Sequence, residues 1–330
     1  MLKFEVSKTK KKEQFDIPIL LIFFTRFDTT KMTFEKIREQ KPYKLYLGSD
    51  GPRTGTNDME KIEKVRTWLL NNIDWDCEVI KFFNDFNKGT KYGVSEHIIK
   101  FFKNEEMGIV LEDDCLPQST FFPFCCELLY KYKDDERTGL ISGNNFSFSK
   151  HDKRYSYFFG SFPTTSGWAS WARVFKDYDV EIKKWPEVYT NPSFRKSYST
   201  KWEYEFWKDN FQNIYNGTSM TWDYQIHFMN KINNRCAIMP TVNLVSNIGH
   251  GAPDAVYCLN PNDPASNIPS EEIELPLRHP NNFLIDYEKD DTLVNFYCFG
   301  IKRFFIFLYR KLPLPIKKIY RFFKSKFKKK

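Results

Sequence analysis

Apolar runs alternate with amphipathic stretches through the first part of this 330-residue chain. Short runs that are apolar throughout are typical of strands buried on both faces, and apolar residues recurring every three or four positions are typical of helices. The predicted strands are 17–24, 44–47, 77–83 and 108–111. The predicted helices are 33–39, 58–71, 92–103 and 121–133. This alternation predicts an α/β fold with a mixed, mostly parallel sheet flanked by helices.

Beyond residue 133 the apolar runs become shorter and richer in aromatic residues. The pattern predicts strands at 139–142, 156–159 and 237–242, and a helix at 224–230. The segment 164–171, which contains Trp168 and Trp171, is predicted to be an ordered loop. Residues 251–280 are rich in Pro and Asn and are predicted to be irregular.

The formal net charge of +8 is concentrated at the C-terminal end. From Lys302 onward there are twelve Lys and Arg residues and no Asp or Glu. The chain has 50 basic and 42 acidic residues, so positions 1–301 carry 38 basic and 42 acidic residues, a net of −4. We therefore predict three parts: a Lys-rich segment 1–14, a main α/β domain 15–285, and a basic tail 286–330.

The tail is predicted to form two amphipathic helices, separated by Pro313-Leu314-Pro315. Lys302 and Arg303 interrupt its apolar run, so it should not span a membrane. Aromatic residues between cations suit a helix that lies in the plane of an anionic membrane surface. The alternative is a helix that packs on the body and ends in a solvated Lys run. Nucleic acid is not expected as a partner, because no basic-aromatic motif of a known nucleic-acid module is present.

Cysteine usage and the N-terminal sequence favour a cytoplasmic location. The seven cysteines are odd in number and contain no C-x-x-C pair, which is typical of reduced thiols rather than a disulfide framework or zinc site. The apolar run 17–24 follows mixed charges and has no small-residue cleavage site, so no secretory signal peptide is expected. With the basic tail, this predicts peripheral attachment to the inner face of the cytoplasmic membrane.

The most informative motif is Glu112-Asp113-Asp114, at the end of the predicted strand 108–111. Three adjacent carboxylates at a buried strand end are costly without a partner cation. Mg²⁺ or Mn²⁺ suits such oxygen ligands and usually completes its shell with substrate phosphates. The alternative is a solvated acidic turn that caps the next helix.

Two other predicted strand ends carry polar residues, Thr25-Arg26 and Gly48-Ser49-Asp50. In open α/β sheets, ligands bind beyond the carboxyl ends of the strands near a topological switch point. Together with the acidic triplet, these two segments predict a nucleotide site at this edge of the sheet.

These elements, together with the basic segment 87–93 and Thr221-Trp222-Asp223, resemble the GT-A nucleotide-sugar glycosyltransferases. The resemblance covers roughly residues 16–255, and it is strongest to bacterial proteins similar to N-acetylglucosaminyltransferase I. It implies a GT-A (Rossmann-like) fold, a Mn²⁺ or Mg²⁺ cofactor, and transfer of a sugar with inversion at the anomeric carbon.

The resemblance also implies roles for individual residues. Asp114 is the implied metal ligand, and His250 is a candidate further ligand, although an apolar aromatic residue is usual at that position in the bacterial family. Asp223 is the implied catalytic base, because an acceptor hydroxyl needs an ionised acid close by to become a nucleophile. The implied donor-binding residues are Thr25, Arg26, Asp50, Lys88, Lys91, Glu112, Asp113 and Trp168. Among them, Asp50 would accept the imide N–H of uracil, and Lys88 and Lys91 would reach the phosphates.

Structural explanations exist for several of these residues. Asp223 is also a suitable N-cap for the helix that follows, a role compatible with catalysis. Trp168 can be a core residue, His250 a structural histidine, and the segment with Lys88 and Lys91 a solvated loop.

The sequence favours a glycosyltransferase that uses a nucleotide-sugar, UDP-linked in the first instance. Its acceptor would be a hydroxyl of a surface glycan or lipid-linked oligosaccharide. One alternative is a membrane-attached protein that binds glycans or nucleotides without catalysis. Another is a sugar-1-phosphate nucleotidyltransferase, which is disfavoured because no glycine-rich loop follows the first strand.

Overall fold

The structure is a computed structural model, and it describes residues 14–146, 154–251 and 266–299. Its strands are β1 (Ile19–Phe23), β2 (Lys44–Ser49), β3 (Glu78–Phe83), β4 (Met107–Glu112), β5 (Cys115–Pro117), β6 (Thr138–Ser142), β7 (Tyr157–Gly160), β8 (Trp168–Trp171), β9 (Cys236–Pro240) and β10 (Val245–Asn247). Its α-helices are α1 (Phe27–Gln40), α2 (Asp58–Asn71), α3 (Ser95–Asn104), α4 (Phe121–Lys131), α5 (Ala172–Phe175), α6 (Trp185–Thr190), α7 (Pro192–Lys196), α8 (Lys201–Tyr215), α9 (Tyr224–Ile232) and α10 (Tyr287–Phe299). A π-helical turn, Thr90–Val94, leads into α3.

Within these ranges, eight strands form one sheet in the order β3-β2-β1-β4-β8-β6-β9-β7. Six of them run in one direction, and only β7 and β8 run in the other. The remaining two strands, β5 and β10, form a separate antiparallel pair. The predicted α/β fold, with a mixed, mostly parallel sheet flanked by helices, is therefore confirmed.

The strand order places the switch point at β1. The chain first builds outward from β1 to β2 and β3, and it then returns to place β4 on the other side of β1. A parallel sheet that reverses its winding in this way leaves a crevice beyond the carboxyl ends of the two central strands. Here the ends of β1 and β4 lie side by side, with Ile22 opposite Glu112. The end of β2 lies on the other side of β1, with Ser49 opposite Phe23.

The sequence forms this sheet because its central strands are apolar on both faces. Every residue of β1 is buried, and in β4 only the last residue, Glu112, is partly exposed. A second core, outside the sheet, packs aromatic residues of α6 to α9 around the fully buried Trp207. Apolar burial of this extent is the main favourable contribution to folding.

Two predictions about the elements were wrong. The segment 164–171 is not a loop throughout, because Trp168–Trp171 forms the sheet strand β8 between β4 and β6. The first helix begins at Phe27, six residues earlier than the periodicity indicated. The helices between Trp185 and Tyr215 were not predicted, since their apolar residues pack mainly on one another in the second core.

The C-terminal helix α10 packs against the body through buried Asp290, Leu293 and Val294. Asp290 accepts hydrogen bonds from the backbone N–H and the hydroxyl of Ser161, at 2.8 and 2.6 Å. The rest of the predicted tail, residues 300–330, lies outside the described residues. In the part of the chain that is described, no helix has the length and apolar character needed to cross a membrane.

A buried acid on α8 makes stability depend on pH. Glu203 takes part in the capping of α8: its backbone N–H donates to the hydroxyl of the N-cap Thr200, and its carboxyl accepts from Ser199 N–H at 3.0 Å. Burial raises the pKa of Glu203 to about 7; the charge of Asp290 also raises this pKa, whereas Lys231 lowers it. The unfolded chain loses this proton near the ordinary value for Glu, about 4.3.

We expect Glu203→Gln to stabilise the protein at pH 8 and to have little effect at pH 4. Between the unfolded and the folded pKa, only the unfolded chain releases the proton, so wild-type stability falls across that window and levels off above pH 7. The gain at pH 8 is up to about 3 kcal/mol, read from urea unfolding at several pH values. Exposed Glu187→Gln is the matched control. An equal gain at pH 4 and pH 8 would contradict the assignment.

Candidate functional site

The carboxyl ends of β1 and β4 bring together the Arg26 side chain and the acidic triplet. Arg26 occupies the N-cap position of α1, and its guanidinium lies 3.0 Å from Oδ2 of Asp114 and 3.9 Å from Oδ1 of Asp113. The Phe24 backbone N–H donates to Oδ2 of Asp113 at 3.3 Å. Residues 88 positions apart in the sequence thus form one charged centre, as the strand-end pattern predicted.

The turn that carries the triplet is held from two sides. The Thr33 hydroxyl on α1 contacts the carbonyl oxygens of Asp113 and Cys115, at 3.3 and 3.1 Å. On the other side, β5 pairs with β10, and the Ile248 N–H donates to the Asp114 carbonyl at 2.9 Å. These contacts fix the direction in which the acidic side chains leave the turn.

The segment 247–250 lies directly against Asp114. The Asn247 amide Nδ2 donates to Oδ1 of Asp114 at 3.3 Å, and its own Oδ1 accepts the Gly249 N–H at 2.9 Å. A Cβ atom at position 249 would lie 2.1 Å from Oδ2 of Asp114, so only glycine fits there. His250 follows at once, and its charge lowers the pKa of Asp114.

In this centre the carboxyl groups outnumber the cations, because the three acids of the triplet lie near a single guanidinium, that of Arg26. Burial raises the pKa of Glu112 well above its usual range, and the charges of Asp114, Asp113 and Asp223 add to the effect. Burial also raises the pKa of Asp114, and Arg26 opposes that rise. Bringing in a further cation would relieve the repulsion among the carboxylates.

The carboxylate oxygens of the acidic triplet are suitable ligands for a hard divalent cation. Carboxylate oxygens are the ligands that Mg²⁺ and Mn²⁺ prefer, and one or two of them are enough when phosphates complete the shell. Within the described ranges, no group of three or more His, Cys, Asp or Glu residues is already arranged around one point. Because the Arg26 guanidinium lies 3.0 Å from Asp114, a cation held by Asp114 would share that carboxylate with Arg26.

Asp223 stands at the N-cap position of α9 and is partly buried. The Thr221 hydroxyl donates a hydrogen bond to the Asp223 carboxylate. Burial raises the pKa of Asp223, whereas the hydrogen bond from Thr221 lowers it. The charge of Asp223 raises the pKa of Glu112, which places the two acids within electrostatic reach of each other. The predicted base thus interacts electrostatically with Glu112 of the acidic triplet, although more than a hundred residues separate the two in the sequence.

Asp50 organises the loop between β3 and the π-helical turn. Its carboxylate accepts backbone N–H groups of Gly51 at 3.0 Å, Lys88 at 2.9 and 3.0 Å, and Gly89 at 3.0 Å, and the Asn84 amide at 3.2 Å. A carboxylate offers about four lone-pair positions, so these bonds saturate it. In this arrangement Asp50 holds the loop in place and has no acceptor position left for a base edge.

The side chains of Lys88 and Lys91 are both paired with carboxylates. The Lys88 ammonium contacts Glu96. The Lys91 side chain is only 1% exposed, and its ammonium lies 2.6 Å from Glu181. A buried ammonium needs such a partner, which explains why the structure does not present Lys91 to phosphates as predicted.

Trp168 is a core residue. Its side chain is fully buried in β8, with ring-centre distances of 6.0 Å to Phe102, 5.4 Å to Phe175 and 6.3 Å to Trp222. It supports the ring of Trp222, beside Asp223, rather than facing a ligand itself. Thr25 is partly buried between β1 and Arg26, at the predicted edge.

Thr33, Thr221 and Asn247 belong to the site but were not predicted as functional residues. Thr221 and Asn247 both lie in segments with a recognisable pattern, Thr221-Trp222-Asp223 and Asn247-Ile248-Gly249-His250. The glycine in the second segment was the available signal for a close backbone approach. Thr33 lies within a helix, and no local pattern distinguishes it.

No family model matches this chain, and no curated protein matches it. Among solved structures, it is similar to the galactosyltransferase LgtC in complex with donor and acceptor sugar analogs, with 9% identity over 84% of this chain and 95% of that chain and a TM-score of 0.36. It is also similar to the inositol-1-phosphate CTP transferase from T. maritima, with 8% identity over 69% and 86% and a TM-score of 0.35. HddC from Yersinia pseudotuberculosis matches with 9% identity over 49% and 80% and a TM-score of 0.31. At these identities and scores, the likeness says nothing about substrate or activity.

Proposed function

We propose that this protein is a metal-dependent, inverting glycosyltransferase, related to the bacterial enzymes similar to N-acetylglucosaminyltransferase I. It would move a sugar from a nucleotide-sugar, UDP-linked in the first instance, to a hydroxyl of a surface glycan or lipid-linked oligosaccharide. The observation that supports this proposal best is the grouping of Arg26 with the acidic triplet at the switch point of the sheet, where the charge of Asp223 also acts on Glu112.

The acidic side of this group would hold the donor. Mn²⁺ or Mg²⁺ bound by Asp114, with His250 close by, would neutralise the diphosphate as a Lewis acid. Arg26 already donates a hydrogen bond to Asp114, and with the metal it would neutralise the negative charge of the phosphates. Glu112 and Asp113 would contact the donor sugar and ribose, next to Thr25.

Asp223 would act on the acceptor. Its carboxylate would take the hydroxyl proton while the hydroxyl oxygen bonds to the anomeric carbon and the bond from that carbon to the diphosphate breaks. A raised pKa strengthens a carboxylate as a base, and burial supplies that rise here. Attack from the side opposite the leaving group gives inversion.

The more peripheral donor contacts depend on movement of the lysines. Asp50 would support the nucleoside pocket through the loop that it holds. Lys88 and Lys91 would reach phosphate only by leaving Glu96 and Glu181, and Trp168 would act through Trp222.

A thermal-shift screen tests the donor class. We expect one group of sugars, among UDP-, GDP-, CMP- and dTDP-sugars, to raise the melting temperature with Mn²⁺ and not with EDTA. Binding of the native state alone produces such a rise. The absence of a shift with all four groups would contradict nucleotide-sugar binding and would leave a non-catalytic glycan-binding protein as the alternative. A shift that is equal with EDTA would contradict metal dependence.

The segment after β1 argues against a sugar-1-phosphate nucleotidyltransferase. Such an enzyme holds a triphosphate with a glycine-rich loop after the first strand. Here β1 ends at Phe23 and α1 begins at Phe27, and the intervening residues are Phe24, Thr25 and Arg26. That connection is too short for such a loop and contains no glycine.

We also propose that the tail attaches the enzyme to the inner face of the membrane. Each cation close to an anionic leaflet contributes about 1 kcal/mol, so twelve provide ample attachment. Deleting residues 302–330 should abolish binding to vesicles that contain phosphatidylserine, while donor binding stays intact. Deleting residues 1–13, the other Lys-rich end, is the matched control. Equal vesicle binding by full-length and tail-deleted protein would refute the proposal.

A further inference from the structure

A short segment between α5 and α6, residues 178–181, joins the two sides of the candidate site. We call it the strap. The Tyr178 hydroxyl donates to the Trp222 carbonyl at 2.8 Å. The same hydroxyl lies 2.8 Å from the Ser95 Oγ. Because a phenol has one proton, Ser95 donates to Tyr178 and Tyr178 donates to Trp222.

The strap also holds the residue before Trp222. The fully buried Gln225 side chain donates through Nε2 to the Val180 carbonyl at 3.0 Å and to the Thr221 carbonyl at 2.8 Å. The two carbonyl groups that directly precede Asp223 are therefore both fixed by hydrogen bonds, one by the strap itself and one through Gln225.

The other end of the strap contacts the donor side. Glu181 accepts hydrogen bonds from the Lys91 ammonium at 2.6 Å and from the Tyr92 hydroxyl at 2.8 Å. Both residues belong to the π-helical turn, which follows the loop anchored on Asp50. Single π-helical turns within helices occur frequently at functional sites.

We propose that Tyr178 is a positioning residue, which sets the place of the Asp223 carboxylate relative to the donor by holding the Trp222 carbonyl. This inference rests on the proposed function. Tyr178 acts only through the backbone of residues 221–223 and does not contact substrate. Its side chain is buried, so water cannot readily replace its hydroxyl at the Trp222 carbonyl.

The test variant is Tyr178→Phe, which keeps the ring and removes the hydroxyl. We expect kcat to fall by about 10- to 100-fold with the UDP-sugar that the wild type uses best, because small displacements of a catalytic group have effects of that size. The affinity for UDP with Mn²⁺ should not change. The matched control is Tyr132→Phe, which removes a buried hydroxyl hydrogen-bonded to Tyr157 at 2.7 Å, away from the site. It should leave kcat unchanged.

Hydrogen exchange measured on the same variants does not depend on turnover. Tyr178→Phe should speed amide exchange in residues 221–226, and Tyr132→Phe should not. Unchanged exchange in that segment, or a fall in kcat shared by both variants, would overturn the role of Tyr178. If the wild type turns over no nucleotide-sugar, the proposed function fails, and exchange still decides whether Tyr178 holds this segment.

Discussion

Replacing Asp223 with Asn should lower kcat for sugar transfer by about 10³-fold, within the range of about 10² to 10⁴ that a positioned general base supplies. The amide has nearly the shape of the carboxylate and can still accept the Thr221 hydroxyl bond, so the fold should persist. Affinity for UDP with Mn²⁺ should stay within a small factor of the wild-type value, because Asp223 is proposed to act on the acceptor.

This prediction also separates the enzyme from its non-catalytic alternative. A binding protein would retain the same donor affinity in both forms and turn over donor in neither. The control is Asp291→Asn on α10, an exposed acid far along the chain from the site. Full activity of Asp223→Asn would remove Asp223 from the mechanism.

Replacing Asp114 with Ala should abolish the metal dependence of donor binding. The metal would lose its direct ligand, and Arg26 would lose its closest ion-pair partner, 3.0 Å away. Affinity for UDP in Mn²⁺ should fall by at least about 100-fold, since a bound metal contributes several kcal/mol at a phosphate. In EDTA, the variant should bind UDP at least as well as the wild type, because one carboxylate that repels the diphosphate has been removed.

Calorimetric titrations with UDP, in Mn²⁺ and in EDTA, provide both comparisons. Asp28→Asn, which changes an exposed acid in the first turn of α1, is the control for a charge change near the same edge. Wild-type affinity of Asp114→Ala in Mn²⁺ would show that Asp114 does not bind the metal.

The first half of the fold follows from the sequence because its central strands are apolar on both faces and its helices are amphipathic. Such periodic segments carry their structure locally. The strand β8 cannot be predicted in this way, because Gly167 before it and Ser170 within it interrupt the apolar pattern. It is a strand because it pairs with β4 and β6. Tertiary context decides in such segments.

Some features of the site can also be predicted from the sequence, and others cannot. The acidic triplet, Arg26 and Asp223 can be predicted as site residues because unusual residues follow strong elements or form a recognisable motif. The partner of Lys91 could not be identified, because Glu181 is ninety residues away. The bonds that saturate Asp50 are equally invisible in sequence, since most of their donors are backbone groups of a later loop.

The most direct test of the central claim is ³¹P NMR of a UDP-sugar incubated with the protein and Mg²⁺, with and without added pyrophosphate. A glycosyltransferase releases UDP, by transfer or by slow reaction with water, and pyrophosphate does not change the product. We expect UDP from the wild type and a strongly reduced yield from Asp223→Asn. Formation of UTP and sugar-1-phosphate with pyrophosphate would instead identify a nucleotidyltransferase and contradict the assignment of glycosyl transfer to this site.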